Sequence, residues 1–332
     1  MEVDVRLERL PLRAPIRITG YTFVDVPVLV VTLRDGEHVG YGEAAGVYYR
    51  NDAPASMLGQ IEALRPILAV GIDRNALSHL LPPGGARNAL DCALWDLEAK
   101  RSGLPVWRMA GLSPPKPMIT TYTLGADEPA AMAEQARAYS SARALKLKLT
   151  GEAVDAERVR QVRAARPDAW IGVDANQGYS LMTLQTMIPL FVQAGIALIE
   201  QPVPPGQDAG LPALQSPIPL AADESVLCLA DLRRCIGCFD VINIKLDKCG
   251  GLTEGLALAR LARRLGFRVM VGNMCGSSLA MAPAFVLAQV CDVVDLDGPL
   301  ALAHDRTPGV VYEDGRVWCP ESVWGDATAA LA

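Results

Sequence analysis

The sequence predicts an α/β fold in which a (β/α)7β TIM-like barrel carries an N-terminal α+β capping domain that the C-terminal segment completes. Two observations predict this fold. Short apolar segments recur at intervals of roughly 25 residues from residue 116 onward, and helical segments separate most of them. The first hundred residues differ, because they show a hairpin pattern followed by helices.

The predicted capping domain covers residues 1–115. Its hairpin consists of strands at 28–33 and 39–42, joined by a turn at Asp35 and Gly36. A helix is predicted over 86–100, where apolar residues recur at helical spacing and Gly103 follows the last turn.

The predicted barrel covers residues 116–306. Helical periodicity at 156–165 and 252–265 alternates with apolar segments that are short enough to be buried strands. Eight strands that alternate with helices are typical of a closed parallel barrel. The predicted strands are 119–123, 144–149, 170–173, 197–199, 219–222, 241–244, 268–271 and 293–296.

The C-terminal segment, residues 307–332, does not continue this alternation. Residues 309–312 and 316–318 flank Asp314 and Gly315 and form a hairpin pattern. We therefore expect the barrel to lack its last helix and the chain to return to the capping domain.

Composition excludes several classes of function. The net charge is −6 without a long basic run, which argues against nucleic acid as a partner. The acidic N-terminus has no apolar signal region, so we expect a soluble, cytoplasmic protein that does not act in a membrane. The eight cysteines lack disulfide spacing, and Cys235 and Cys238 are interpreted as small buried side chains. The sequence leaves open whether the chain forms homo-oligomers.

Carboxylates follow three successive strands. Asp174, Glu200 and Asp223 each come directly after an apolar run, and the carboxyl ends of barrel strands meet at one face. Three inward carboxylates are costly unless they are paired or bind a metal. Hard oxygen ligands suit Mg²⁺, so the sequence predicts a magnesium site.

Lysines accompany this site. Lys146 and Lys148 lie two apart on the second strand and share its inward face, as Asn176 shares the face of Asp174. Lys245 ends the sixth strand, four strands from the second, so it should face Lys148 across the barrel. Bases on both sides of a substrate permit proton removal from one side and return on the other, which predicts racemisation or epimerisation through an enediolate. The positive charge of the metal should lower the lysine pKa towards that of a useful base.

These motifs resemble the muconate-lactonizing enzyme subgroup of the enolase superfamily, together with Gly42, Glu43 and the segment 86–96 in the capping domain. The segments 243–251 and 295–299 look like those of dipeptide epimerases that act on L-Ala-D/L-Glu. The resemblance implies that Lys148 and Lys245 are acid/base residues and that Lys146 stabilises the substrate carboxylate. It also implies that Asp295 and Asp297 hold the N-terminal ammonium of a dipeptide.

The resemblance leaves the preferred dipeptide open. The capping-domain loop at 19–27, where such enzymes often have arginine, has none after Arg17 and instead presents apolar residues, with Phe23 and Val24 among the expected substrate contacts. An apolar wall favours a neutral or hydrophobic dipeptide over L-Ala-L-Glu. Other enzymes on the same scaffold remain alternatives: an N-acyl amino acid racemase, o-succinylbenzoate synthase, a cycloisomerase or an amino acid dehydratase. A remote alternative is a binding protein without catalysis.

Overall fold

The capping domain begins with a three-stranded antiparallel sheet. The computed structural model describes residues 1–327. Its first strands are β1 (Glu2–Ile18), β2 (Tyr21–Asp35) and β3 (His38–Ala44), in the order β1-β2-β3. The pairing of β1 with β2 continues to Ile18 and Tyr21. The expected loop at 19–27 is therefore mostly strand, because β1, which the apolar pattern did not reveal, pairs with it.

Helices cover the capping sheet. They are α1 (Pro54–Val70), α2 (Arg74–Leu80), α3 (Gly85–Ser102) and α4 (Val106–Met109). Helix α3 is buried along nearly its whole length. It approaches β3 so closely that a Cβ at Gly42 would lie 2.0 Å from the carbonyl oxygen of Ala89. Only glycine permits this contact, which explains the two glycines, Gly40 and Gly42, of β3.

The barrel confirms the predicted fold class. Strand β4 (Met118–Ile119) precedes it, and its eight strands are all parallel, each hydrogen-bonded to the next one along the chain. They are β5 (Thr121–Leu124), β6 (Ala144–Lys148), β7 (Trp170–Asp174), β8 (Leu198–Glu200), β9 (Leu220–Ala222), β10 (Val241–Ile244), β11 (Arg268–Val271) and β12 (Val293–Val294).

Side chains join the first barrel strand to the segment after the last. The amide of Leu296 donates to Thr120 Oγ1 at 2.9 Å, and the amide of Thr123 donates to Asp297 Oδ2 at 2.6 Å. The hydroxyl of Thr121 donates to Asp295 Oδ1 at 2.5 Å. The residues after β12 are therefore held by threonines of the first strand.

Helices surround the barrel unevenly. After β8, the fourth strand of the barrel, the chain forms only a 3₁₀ segment, Asp208–Leu214. After β12, the last barrel strand, where no helix was expected, it forms one short helical turn. The helices are α5 (Pro129–Ala138), α6 (Asp155–Ala165), α7 (Leu181–Gln193), α8 (Leu232–Cys235), α9 (Leu246–Cys249), α10 (Leu252–Arg264), α11 (Ser278–Ala288) and α12 (Gly298–Ala301). Within residues 1–327, no helix is long and apolar enough to span a bilayer.

The C-terminal segment contacts both domains. Strands β13 (Val311–Glu313) and β14 (Arg316–Trp318) form the expected hairpin, and β14 pairs with β4. The indole of Trp324 donates to the carbonyl of Tyr41 at 2.9 Å, and Arg306, directly before the segment, binds Glu43 at 2.7 Å. The segment thus pairs with the strand that precedes the barrel and then returns to the capping sheet. The last five residues, 328–332, lie outside the described part.

Candidate active site

A cavity of about 780 Å³ lies where the carboxyl ends of the barrel strands meet the capping domain. Its wall combines charged side chains from the barrel with aromatic and aliphatic side chains from β2 and from the segment after β3. In a barrel of this kind, the carboxyl ends of the strands are where function resides. The barrel residues in the wall include Lys146, Lys148, Asn176, Asp223, Glu224, Lys245 and Asp297.

The charged layer lies on an apolar one. Because side chains alternate along a strand, residues two apart share a face, as Leu198 and Glu200 do, and likewise Val241 and Asn243. A separate apolar cluster is formed by one inward residue from each of five barrel strands. On most of these strands, a charged residue follows two positions later in the sequence. The members of the cluster are Leu198, Ala221, Val241, Met270 and Val293.

The three predicted metal ligands come together. Asp174, Glu200 and Asp223 are buried, and one carboxylate oxygen from each lies within 4.8 Å of the others. They form the one group of potential metal ligands found among residues 1–327, and neither Cys235 nor Cys238 belongs to it.

The donor chemistry of this group fits Mg²⁺. Glu200 Oε2 is buried without a hydrogen-bond partner among the described residues, while Oε1 accepts from Asn243 at 2.7 Å. Burial, and then the charge of Asp174, raises the pKa of Glu200 to about 8. The ammonium of Lys146 lies 4.0 Å from this oxygen and makes no hydrogen bond to it, so a hard divalent ion held by the three carboxylates would satisfy it.

Lys148 and Lys245 both line the cavity from strand ends four positions apart in the barrel. Lys148 lies 2.5 Å from Asp174, and Lys245 lies 2.6 Å from Asp223. Burial alone would lower the pKa of Lys245, but Asp223 and Glu200 outweigh it and raise that pKa. The expected lowering depends on the positive charge of a metal ion held by these same carboxylates, so it stays a prediction.

Asp295 and Asp297 lie in different surroundings. Asp295 is fully buried, and its oxygens accept from Thr121 and from the ammonium of Lys146. Asp297 lines the cavity and accepts the amide of Thr123. Strand alternation predicts that the two side chains point to the same face, but β12 ends at Val294, before either residue.

The other predicted contacts line the cavity as well. Asn176 is buried, and its Oδ1 has no partner among the described residues, whereas its Nδ2 lies 3.4 Å from Glu224. Phe23 and Val24 enter the wall from β2. Arg17, on β1, also enters the wall, and its guanidinium makes no hydrogen bond or ion pair with residues 1–327.

Sequence reasoning missed two residues at the metal site. The ammonium of Lys248 donates to the backbone oxygens of Asp223 at 2.6 Å and Asn243 at 3.1 Å, and it also contacts the Asp223 carboxylate. Asn243 holds Glu200. Lys248 could have been found from the sequence, because it lies three residues after Lys245, which is helical spacing. Asn243 could have been found only as an amide two residues before Lys245, on the same inward face of the strand.

Family models match both domains of the chain. The model described as the mandelate racemase/muconate lactonizing enzyme N-terminal domain matches residues 1–111, and the enolase C-terminal domain-like model matches residues 130–323. The chain belongs to the enolase superfamily. The predicted resemblance is thereby confirmed.

Relatives of this superfamily member are isomerases. It is 38% identical to the L-Ala-D/L-Glu epimerase of Escherichia coli, over 95% of this chain and 98% of that protein. It is 40% identical to an N-acetyl-D-glutamate racemase of a Pseudoalteromonas species, over 90% of this chain and 96% of that protein. A solved Agrobacterium tumefaciens enolase family member with homology to dipeptide epimerases, bound to sodium and L-Ala-L-Glu, has a TM-score of 0.95 and 42% identity, covering 97% and 99% of the two chains.

Proposed function

We propose that this protein is a Mg²⁺-dependent dipeptide epimerase in which Lys148 and Lys245 transfer the proton on the carbon next to the substrate's carboxylate. The observation that carries the proposal is the placement of the two lysines. They extend into one cavity from strands four apart, and the carboxylates at the ends of the intervening strands lie between them. A carbon held there has an amine on each face.

The chain's own residues account for the proton movements. One lysine, as the free amine, takes the proton, and the electron pair of the C–H bond moves into the carboxylate to form an enediolate. The opposite lysine, as the ammonium, returns a proton to the other face, which inverts the configuration. Lys146, in the cavity wall, binds the carboxylate of the substrate. Bound by Asp174, Glu200 and Asp223, Mg²⁺ would offset the negative charge that develops.

Asp297 selects a free amino group in this proposal. It is the member of the predicted aspartate pair that faces the cavity, and Asp295 instead neutralises Lys146. An ammonium opposite Asp297 compensates the cost of a partly buried carboxylate, which an N-acyl group cannot do.

N-acyl amino acid racemisation is the second candidate. One observation favours it, namely the 40% identity with an N-acetyl-D-glutamate racemase. Both reactions use the same lysines and metal, so only the group next to the reacting carbon distinguishes them.

Exchange in deuterium oxide tests the proposal. The enzyme is incubated with L-Ala-L-Glu, L-Ala-L-Gln, L-Ala-L-Met or N-acetyl-L-glutamate, with Mg²⁺ or excess chelator, and products are followed by mass spectrometry and chiral chromatography. With dipeptides and Mg²⁺, we expect the incorporation of one deuterium and the formation of the second epimer. We expect neither with chelator or with N-acetyl-L-glutamate. Turnover of N-acetyl-L-glutamate alone would establish the second candidate, and exchange in none of the compounds would reject both.

A further inference from the structure

Tyr49 carries a polar atom that the mechanism does not use. It lies after β3 in the segment Tyr48–Arg50, and it lines the cavity. Its hydroxyl oxygen is buried but has no hydrogen-bond partner among the described residues. Leaving a buried hydroxyl unpaired costs free energy, so such a group in a cavity wall indicates a partner on the ligand.

Aromatic contacts hold Tyr49 in place. Its ring packs edge-to-face on Tyr48, with the ring centroids 5.1 Å apart. Tyr48 in turn packs edge-to-face on Tyr21 at 4.7 Å and on Phe23 at 5.2 Å. Such contacts between rings are favourable beyond the area they bury. They join the β1–β2 hairpin to the segment after β3 and position the Tyr49 ring.

The hydroxyl is a neutral donor. Burial, and then the charge of Asp223, raises the pKa of Tyr49, so the phenol keeps its proton. A protonated phenol can donate one hydrogen bond, and the most favourable recipient is an oxygen.

The proposed chemistry leaves one part of the substrate for this donor. Of the four substituents on the reacting carbon, the hydrogen faces a lysine, the carboxylate faces Lys146 and the metal ligands, and the peptide nitrogen leads towards Asp297. The fourth substituent is the side chain, which is left to face the capping domain. Arg17, which also belongs to the capping domain and lines the cavity, adds a second donor without a partner in residues 1–327.

We propose that Tyr49 determines specificity by donating a hydrogen bond to an oxygen in the side chain of the residue that is epimerised. The proposal rests on the proposed epimerase function. It gives preference to side chains that end in a carboxylate or an amide. This preference differs from the hydrophobic dipeptide that the apolar residues of β2 alone predict. The reason is that those residues share the cavity wall with Tyr49 and Arg17.

The test compares Tyr49→Phe with the wild type on L-Ala-L-Glu, L-Ala-L-Gln and L-Ala-L-Met. We expect kcat/KM for the Glu and Gln dipeptides to fall by roughly 3- to 30-fold relative to the Met dipeptide, the loss of one hydrogen bond to a neutral or charged acceptor. A dipeptide that is not turned over is compared by its affinity, measured by calorimetry. An equal effect on all three dipeptides would overturn the proposal.

Thermal unfolding supplies a second measurement. Because the Tyr49 hydroxyl has no hydrogen-bond partner among residues 1–327, Tyr49→Phe should unfold at the same or a higher temperature. Tyr179→Phe is the matched control: that hydroxyl donates to Asp155 at 2.8 Å, away from the cavity, so its loss should lower the unfolding temperature and leave the Glu-to-Met ratio unchanged. A lower unfolding temperature for Tyr49→Phe would reveal a partner in the protein and overturn the proposal.

The two proposals fail in different ways. If the wild type exchanges no dipeptide, the epimerase function itself is wrong. If the wild type exchanges dipeptides but Tyr49→Phe keeps the preference of the wild type, only the role of Tyr49 is wrong.

Discussion

At the scale of single residues, Lys148 and Lys245 make the sharpest prediction. Replacing either by alanine should slow epimerisation by roughly 10²- to 10⁴-fold, because each direction needs both an acid and a base. The remaining lysine can still exchange the α-proton of the one epimer whose proton points towards that lysine. Each variant should therefore exchange deuterium into one epimer, and the two variants into opposite epimers.

The measurement is deuterium incorporation from each pure epimer, followed by mass spectrometry. Lysine-to-alanine variants must first be shown to fold, which circular dichroism establishes. Exchange of the same epimer by both variants would contradict the placement of the two lysines on opposite faces.

Asp295 and Asp297 should respond differently to substitution. Asp295→Asn removes the buried charge beside Lys146, so we expect a loss of folding free energy on the order of 3 kcal/mol. Asp297→Asn removes a cavity carboxylate that has no ion pair among residues 1–327. It should keep the stability but raise KM for dipeptides with a free amine.

Urea unfolding and steady-state kinetics separate these two effects. The ratio of kcat/KM for a dipeptide to that for its N-acetyl derivative should fall in Asp297→Asn. An unchanged ratio would mean that another residue recognises the amino group.

At the scale of elements, Asp247 joins the segment after β3 to the segment after β10, the sixth strand of the barrel. It follows Lys245 in α9 and accepts the amide of Gly46 at 2.8 Å. Burial raises its pKa from 3.8 to about 7. Since the folded state then binds this proton more tightly than the unfolded chain, the contribution of Asp247 to stability falls as the pH rises from about 4 to about 7, by an amount on the order of 4 kcal/mol.

Asp247→Asn keeps the acceptor for Gly46 and removes the titration. We expect the variant to gain stability relative to the wild type as the pH rises from 5 to 8, measured as the free energy of unfolding in urea. The pKa of Asp52 is also raised by burial, but Asp52 is present in both proteins, so the difference between them reports Asp247. Parallel pH profiles would show that Asp247 does not titrate in this range.

At the scale of the whole molecule, Mg²⁺ should stabilise the folded state. An ion that binds only the folded protein adds about 2.7 kcal/mol at 100 times its Kd. Glu200→Gln should lose this gain with little change in stability without metal, because Glu200 Oε2 accepts no hydrogen bond among residues 1–327 and its ion pair with Lys146 is long, at 4.0 Å. Thermal unfolding with Mg²⁺ and with excess chelator measures both. A full Mg²⁺ effect in the variant would exclude Glu200 as a ligand.

The sequence determined the barrel and the chemistry-bearing residues at its strand ends. The eight strands occur close to the predicted positions, and Asp174, Glu200 and Asp223 come together as expected. This succeeded because a buried strand is recorded locally, as a short apolar run, and because parallel strands place their carboxyl ends on one face. The inward direction of a side chain then follows from the period of two.

Only the tertiary structure decided features that depend on contacts between distant residues. Strand β1 has no continuous apolar run, because apolar residues such as Val3 and Val5 alternate with exposed charged ones, and its pairing with 21–35 depends on a distant partner. Asp295 and Asp297 look equivalent in sequence, but Lys146 and Thr121 bind one of them and leave the other facing the cavity. The unpaired hydroxyl of Tyr49 is likewise visible only when every neighbouring donor and acceptor is known, because a hydrogen bond is a property of two atoms that the chain brings together.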